Sequence, residues 1–313
     1  MATYGFHLLR EVRPRQWIKN LSLYAALVFS GFFFEPGYFG YVTIGVGIFC
    51  LLSSAVYLIN DIIDAPMDRL HPFKKKRPIA SGALPVAHAW AAAVALLIVA
   101  MIGAFFISTF FFFLSIAYVL LHLLYTYKLK QTPIVDVMMI AAGFLIRIYA
   151  GAVIVNLHTS VWFLLTVLSA SLFLAVGKRQ SERTLLRGYG EDLSKHRETL
   201  SHYTQRLLDV YVGMFANATW LTYALYTFQR SEFKPEGVLF VSIFAKLPRT
   251  FTAEKWLMIT IPLVIFGVMR YLQLVYESNQ GESPERVLLR DKPLLVTAFI
   301  WGLLVMVLIY GIG

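Results

Sequence analysis

Residues 39–59 read FGYVTIGVGIFCLLSSAVYLI, and residues 60–68, which follow directly, read NDIIDAPMD. The first run carries no charge and is long enough to cross a bilayer as a helix. The second packs three carboxylates and an amide against the end of that helix, just before a basic stretch, HPFKKKRP, at 71–78. Ionised groups at a membrane edge are costly unless something pairs with them. A divalent metal carrying a phosphate or diphosphate would pair with all of them. On a helix Asn60 and Asp64 are four residues apart, and Asp61, Asp64 and Asp68 follow at i, i+3 and i+7, so all four share one face. Pro66 biases Ala65 away from helical geometry, which predicts Asp68 on the loop beyond the helix. Hard oxygen donors, few per ion, suit Mg2+, which keeps waters and binds through carboxylates and substrate phosphates. The plainer reading is a solvated helix end bridged to Arg69 and the lysines.

Composition places the whole chain in the membrane. Apolar residues make up 58% of 313, charged residues 15%, and mean hydropathy is +0.66. A soluble domain is about half apolar and a quarter charged. The net charge of +10 is carried in the gaps between apolar runs, a placement that serves membrane orientation and anion capture, so nucleic acid is set aside. The single cysteine, Cys50, lies inside an apolar run, which excludes an intrachain disulfide and disfavours a thiolate nucleophile. No cleavable leader is expected, because Arg10, Arg13, Arg15 and Lys19 precede a long span without a small-residue cleavage site. Residues 4–12 suit a short interfacial helix.

Apolar stretches of roughly 17–23 residues, the bilayer-crossing length, recur near 18–35, 39–59, 87–105, 108–126, 134–155, 160–177, 208–228, 257–275 and 294–312. They predict an all-α, polytopic protein of nine transmembrane helices in a single domain, 1–313, with a tight turn near Gly103–Ser108. Nearly all basic residues fall at the N-terminus and in loops 60–86, 127–133, 178–207 and 276–293. The mixed-charge loop 229–256 is the exception. The positive-inside rule puts the basic loops and the N-terminus in the cytoplasm and the C-terminus outside. The candidate chemistry then collects on one face, whereas a transporter would place its polar sites near the midplane on broken helices.

Further candidates lie at the same depth. The run Lys74-Lys75-Lys76-Arg77-Pro78 reads either as a topology and headgroup signal or, beside the acids, as a diphosphate clamp through Lys74 and Arg77. Tyr125, Tyr127 and Lys130 close the fourth span. Lys178, Arg179, Glu182 and Arg183 close the sixth, and Arg270-Tyr271 the eighth; each reads equally as a snorkelling anchor. Arg147 lies mid-span in IAAGFLIRIYAG, where an arginine is a functional candidate, the structural reading being a pair with Asp136 or a backbone carbonyl. The histidines show no zinc spacing, and no Gly-rich phosphate loop or serine elbow is present.

The NDxxDxxxD pattern of Asn60, Asp61, Asp64 and Asp68, at the end of the second of nine spans, resembles the UbiA superfamily of membrane prenyltransferases. RPRQWIKN at 13–20, HPFKKKRPIASG at 71–82, GFLIRIYAG at 143–151, GKRQSE at 177–182 and LRDKP at 289–293 resemble the branch acting as phosphoribosyltransferases on polyprenyl phosphates. The resemblance implies a UbiA-type helical bundle in the cell (inner) membrane, with its active site facing the cytoplasm. It implies Mg2+-dependent transfer of 5-phosphoribose from phosphoribosyl diphosphate (PRPP) to a decaprenyl-like phosphate. That product leads toward lipid-linked pentose donors for cell-envelope glycans. Asp61, Asp64 and Asp68 would be the catalytic carboxylates, with Asn60, Asp64 and Asp68 on the metal. Lys19, Asn20, Lys74, Arg77, Tyr127, Lys130, Arg147, Lys178, Arg179, Glu182 and Arg270 would bind substrate. A homo-oligomer is compatible with the sequence.

One departure from the superfamily pattern bears on the substrate. Aromatic prenyltransferases carry a second, DxxxD-type motif after the sixth helix; here that position reads GKRQSERTLLRGYGEDLSKHR, with Lys178 and Arg179 where acid is expected and Glu191-Asp192 wrongly spaced. A cation pair suits an extra phosphate, such as the 5-phosphate of PRPP. Displacing diphosphate from an oxocarbenium-like C1 needs the leaving group neutralised, and an acceptor phosphate, already anionic, needs no general base. The competing readings are a UbiA-type transferase moving a prenyl group from its diphosphate to an aromatic or other acceptor, and a transporter or lipid-binding protein without chemistry.

Overall fold

The computed structural model describes residues 2–70, 74–188, 202–230, 255–277 and 284–311. It is all-helical, with no strand among the described residues. The chain forms two compact units: Met1–His158 with Asp192–Tyr203, and Thr159–Glu191 with Thr204–Gly313.

The first unit is built around its longest helix. After α1 (Ala2–Glu11) the chain runs as a 3₁₀ helix, Pro14–Leu23, and continues as α2 (Tyr24–Ser30). Then come α3 (Tyr38–Asp68), α4 (Val86–Ile107), α5 (Thr109–Tyr127) and α6 (Val135–Ile154). Leu52, Ala55, Val56 and Leu58 of α3 are buried. Against them α4 presents a stripe of small residues, Ala89, Ala93, Ala100 and Ala104, each fully buried, while Ile98, Ile102, Phe105 and Phe106 point outward. Small residues inside and large apolar ones outside is the pattern of helices that approach closely in lipid. The expected turn between the third and fourth spans is the single extended residue Ser108.

In the second unit α7 (Val161–Gly188) packs along α8 (Gln205–Gln229), with α9 (Ile261–Glu277), α10 (Pro284–Arg290) and α11 (Lys292–Tyr310) completing it. Gly177 on α7 lets the Tyr271 ring of α9 lie close against the backbone; a Cβ there would sit 3.0 Å from it. Thr260 bonds Tyr223 (2.6 Å), which also accepts from Trp301 Nε1 (3.0 Å). Asp291 caps α11 by accepting from Leu294 N–H (2.9 Å).

Among the described residues seven helical segments are long and apolar enough to cross a membrane: 38–68, 86–107, 109–127, 135–154, 161–185, 256–277 and 292–310. The two remaining expected spans are also helical but different in kind. The seventh, α8, carries too much polar surface to meet that measure, and the first is broken. Instead of one α-helix over 18–35, the chain holds a ten-residue 3₁₀ stretch, where runs beyond three or four are uncommon. Pro14 starts it after Arg13, whose φ of 52° is left-handed, and the buried Asn20 side chain reaches Ser53 (3.2 Å). A second correction concerns Pro66. α3 runs straight through it, and Asp68 is the last helical residue, 5% exposed, rather than a loop residue. A proline in a final turn removes one backbone bond; Arg69 N–H to Ala65 O (3.1 Å) and Arg69 Nε to Ala80 O (3.2 Å) hold the turn beyond it.

A close approach between α6 and the 3₁₀ stretch gives a test. A Cβ on Gly151 of α6 would overlap the Leu23 carbonyl, which is backbone and cannot rotate away, whereas one on Gly213 meets nothing. Gly151→Ala is expected to lower the melting temperature of the detergent-purified protein, by an amount equivalent to about 1–3 kcal/mol or more. Gly213→Ala should leave it unchanged or raise it slightly. Equal melting of both variants would contradict the packing.

Candidate functional site

The C-terminal turns of α3 bring Asn60, Asp61, Asp64 and Asp68 to one face, as the spacing requires, yet the four sit in different surroundings. Asp61 is 1% exposed and sealed between two guanidinium groups. Arg13 Nη2 reaches both its oxygens, at 2.6 and 2.5 Å, and Arg77 Nη1 reaches Oδ1 at 2.9 Å. The same Arg77 nitrogen holds Asp68 Oδ2 at 2.5 Å. The Arg13 guanidinium also stacks over Tyr57, 5.2 Å from the ring centre. Asp64 is more open: Lys130 pairs with Oδ1, and Asn60 Nδ2 donates to Oδ2 at 3.1 Å. Thr126 Oγ1 donates to Asn60 Oδ1 at 3.1 Å.

Of the residues expected from sequence, Asn60, Asp61, Asp64, Asp68, Arg77 and Lys130 therefore meet. Lys74 opens a 3₁₀ turn, Lys74–Lys76, whose first carbonyl accepts from Arg77 N–H (2.9 Å). Tyr127 ends α5 and is exposed. Asn20 and Arg147 meet each other instead. Arg147 is buried, with Nε on Asn20 Oδ1 (2.9 Å), Nη1 on the Gly143 carbonyl (2.9 Å) and Nη2 on Tyr118 Oη (2.7 Å). Asp136 bonds Tyr203 Oη (2.7 Å), so the structural partner of Arg147 is a backbone carbonyl and two neutral side chains. Lys19 adjoins Asn20 in the 3₁₀ stretch, its carbonyl accepting from Ser22 Oγ (2.8 Å). In the second unit Lys178 and Arg179 lie on α7, Arg179 buried and paired with Glu182 at 2.6 Å. Arg270 is held by Asp291, through Nε at 3.1 Å and Nη2 at 2.7 Å. The pair keeps the Asp291 carboxyl below the usual carboxylate range. Glu191 and Asp192 lie outside the described residues, as do residues 71–73 of the basic loop.

The donor set bears on a metal. Among the described residues no three of His, Cys, Asp or Glu gather as a cage. Asn60 and Asp64, one helical turn apart and half-buried, are the accessible oxygen donors; Asp61 and Asp68 are engaged by arginines. This fits an ion of the Mg2+ type, which takes one or two carboxylates and completes its shell with water and phosphate. Ligation by Asn60 would require its amide to turn from Thr126.

Two residues of this cluster escaped the sequence reading. Arg13 was legible as a basic residue before a span and as the head of the RPRQWIKN block, but nothing in the sequence announces a partner forty-eight residues away. Glu11 is 2% exposed and accepts from Ile79 N–H (2.9 Å), tying α1 to the loop after α3. Burial, reinforced by the neighbouring Asp61 charge, pushes its carboxyl from 4.5 up to about 7. A folded-state value above the unfolded one means that the folded protein binds this proton more tightly. The associated stability is full below about pH 4.5 and is lost as pH rises through 7. Glu11→Gln, which keeps the acceptor for Ile79, should melt like the parent at pH 5 and be more stable at pH 8, by about 1–3 kcal/mol. Parallel melting curves across that range would refute the assignment.

The UbiA prenyltransferase family model matches residues 21–303. A decaprenyl-phosphate phosphoribosyltransferase of Corynebacterium glutamicum is 33% identical over 97% of this chain and 86% of its own length. The protein of that name from Mycolicibacterium smegmatis is 33% identical over 94% of this chain and 89% of its own. Among solved structures, a UbiA homolog from Archaeoglobus fulgidus bound to GPP and Mg2+ superposes with a TM-score of 0.67 at 20% identity, covering 97% of this chain and 99% of the other. At that identity the likeness speaks for the fold. By sequence and fold together, the chain belongs to the UbiA prenyltransferase family and is a multi-pass membrane transferase.

Proposed function

We propose that the protein transfers 5-phosphoribose from PRPP to a decaprenyl-like polyprenyl phosphate, releasing diphosphate, with residues 1–313 acting as one transferase domain. The observation that carries this reading is the replacement of acid by base on α7. Where prenyl-diphosphate enzymes of the superfamily carry a second acidic motif, this chain has Lys178, Arg179 and Arg183, and the carboxylate among them, Glu182, is paired with Arg179. The relatives named as decaprenyl-phosphate phosphoribosyltransferases, each matched over most of its length, support the same substrate class.

In the transfer the bond between C1 and the diphosphate oxygen breaks, and an acceptor phosphate oxygen bonds C1. No proton need move, because the acceptor is already an anion. Asn60 and Asp64 would hold Mg2+, which supplies Lewis-acid neutralisation of the diphosphate. Lys130, which pairs with Asp64, would turn to phosphate oxygens, and Lys74, whose charge acts on Asp68, would join it. Arg77 and Arg13 fix Asp61 and Asp68, so that the end of α3 does not deform as negative charge arrives. Nine membrane crossings, an inner-membrane location and a cytoplasmic site accord with the basic residues concentrated at the ends of alternate spans.

The test is purified protein with PRPP, a polyprenyl phosphate and Mg2+. Diphosphate release and a phosphoribosylated lipid are expected, with loss of both on chelation and restoration by Mg2+. Asp64→Asn should reduce turnover by about 100-fold or more while leaving the melting temperature in place. Asp61→Asn should lower the melting temperature as well, because the half-buried Arg13 loses its paired carboxylate and Arg77 one of its two. Transfer from a prenyl diphosphate to another acceptor, with PRPP inert, would overturn the proposal.

A further inference from the structure

The loop after α3 reaches the acid face through Arg77, and its course there is set from α1. Past Lys74 the chain is wound as successive turns. Arg77 N–H bonds Lys74 O (2.9 Å), Ser81 N–H bonds Arg77 O (2.8 Å) and Leu84 N–H bonds Pro78 O (2.9 Å). Ile79, Ala80 and Leu84 are buried. Ile79 N–H goes to a side chain instead, Glu11 Oε1 at 2.9 Å, and Ala80 O accepts from Arg69 Nε at 3.2 Å. These two ties pin the chain two and three residues beyond Arg77. A buried N–H without an acceptor is costly, so loss of Glu11 would release Ile79 and with it the turn that carries Arg77.

Arg77 meets Asp61 and Asp68 through one nitrogen, Nη1, at 2.9 and 2.5 Å. Those two carboxylates lie two helical turns apart, about 10 Å along α3, and Asp64 lies between them on the same face. A guanidinium that bridges the outer pair therefore stands beside the middle one, the carboxylate accessible to an ion. The Arg77 side chain is 26% exposed. Both carboxylates fall on Nη1, and the donors on Nε and Nη2 form a second edge of the planar fork. Such an edge binds phosphate bidentately.

We propose that Glu11 is a positioning residue for the diphosphate subsite: by holding Ile79 it sets Arg77, whose Nε–Nη2 edge takes phosphate oxygens beside the ion at Asp64. All of these residues belong to the first unit. The role requires a diphosphate at the end of α3, as the proposed transfer does, whichever group that diphosphate carries. Glu11 has two charge states there. Asp61 of α3 and Arg13 face it, Arg77 meets it through Asp61, and His7 lies one turn back on α1. Protonated, its carboxyl donates to Asp61 while accepting from Ile79. Ionised, it opposes Asp61, competes for Arg13 and adds negative charge near an incoming anion. With its carboxyl raised to about 7, the ionised state grows as pH rises through neutrality.

The experiment is calorimetric titration of the full-length, detergent-purified protein with inorganic diphosphate and Mg2+, at about pH 6 and about pH 8. Glu11→Met, similar in length but unable to accept from Ile79, should weaken binding by about tenfold or more at both pH values. Glu11→Gln keeps the acceptor and cannot ionise. It should match the parent at the lower pH and bind about threefold or more tightly than the parent at the higher one. The comparison at equal pH cancels the ionisation of diphosphate itself. Combined with Arg77→Lys, which removes the fork, Glu11→Met should cost little beyond Arg77→Lys alone, because Glu11 acts through Arg77. Full affinity in Glu11→Met, or additive losses in the double variant, overturns the inference. If Glu11→Met does not fold, a parent-to-Gln affinity ratio that stays flat with pH overturns it. A parent that binds no magnesium diphosphate overturns it together with the metal–diphosphate site. Turnover of a prenyl diphosphate with PRPP inert would remove the phosphoribosyl reading and leave the role of Glu11 standing.

Discussion

A carboxylate enclosed by two guanidinium groups governs the end of α3. Asp61 lies at the membrane edge with almost no exposed surface, and its charge is tolerable only because Arg13 and Arg77 meet it from two separate segments. Removing one partner of a buried pair is far costlier than never having had it, about 3–5 kcal/mol, so the arrangement locks once formed. Two locally unfavourable features depend on it. Arg13 adopts left-handed backbone, at a cost of order 1–3 kcal/mol, and Pro66 sits within the last turn of α3. Each is offset by the ion pairs that flank it. The segment before the 3₁₀ stretch and the loop after α3 are thereby fastened to one helix end.

The carboxylates of the NDIIDAPMD run thus divide into two kinds, although helical spacing treats them alike. Asp61 and Asp68 are bound to arginines in buried geometry, and their contribution is shape. Asp64 faces Lys130 with both side chains about a quarter exposed, and a pair so open is worth little, commonly under about 1 kcal/mol. A phosphate-bound ion can therefore displace Lys130 from Asp64 at small cost, while it could not draw Asp61 from its arginines. The same inequality favours Asn60 and Asp64 over Asp68 as donors to a metal.

What the sequence made legible follows from the range of each interaction. Apolar runs of bilayer length announce helices because the hydrocarbon leaves the backbone no other partner, and α3 to α7 appear where the runs place them. The shared face of Asn60, Asp61, Asp64 and Asp68 was legible because helical period is local. The 3₁₀ stretch was not, because it depends on Asn20 finding Ser53 and Arg147, residues distant in sequence. Nor was the continuation of α3 through Pro66, where the local bias of proline is outweighed by ties to Arg77 and Ala80. The tie from Glu11 to Ile79 is hidden for the same reason: one lies on α1 and the other beyond α3, and no spacing rule links residues sixty-eight positions apart.

The 3₁₀ stretch joins the two polar centres of the first unit. Arg13 precedes its start, Trp17 donates to Ser54 of α3 (3.0 Å), and Asn20 near its end accepts from Arg147 of α6. At about 2 Å per residue, ten residues of 3₁₀ helix span some 20 Å, so one rigid rod touches the acid cluster at one end and the buried arginine at the other. Arg147 is surrounded by neutral acceptors and by the Tyr118 and Phe144 rings, 4.8 and 5.5 Å from its guanidinium carbon. Such a cation is stable only if every acceptor stays in place, which fixes Asn20 and hence the rod. The close approach of Gly151 to Leu23 fixes the rod's far end by sterics. With Asn20 and Leu23 held, Arg13 has little freedom left, and the strain in its backbone is the consequence of aiming its side chain at Asp61. The deep arginine therefore contributes to the surface site through the rod's position, by a route that requires no direct contact between them.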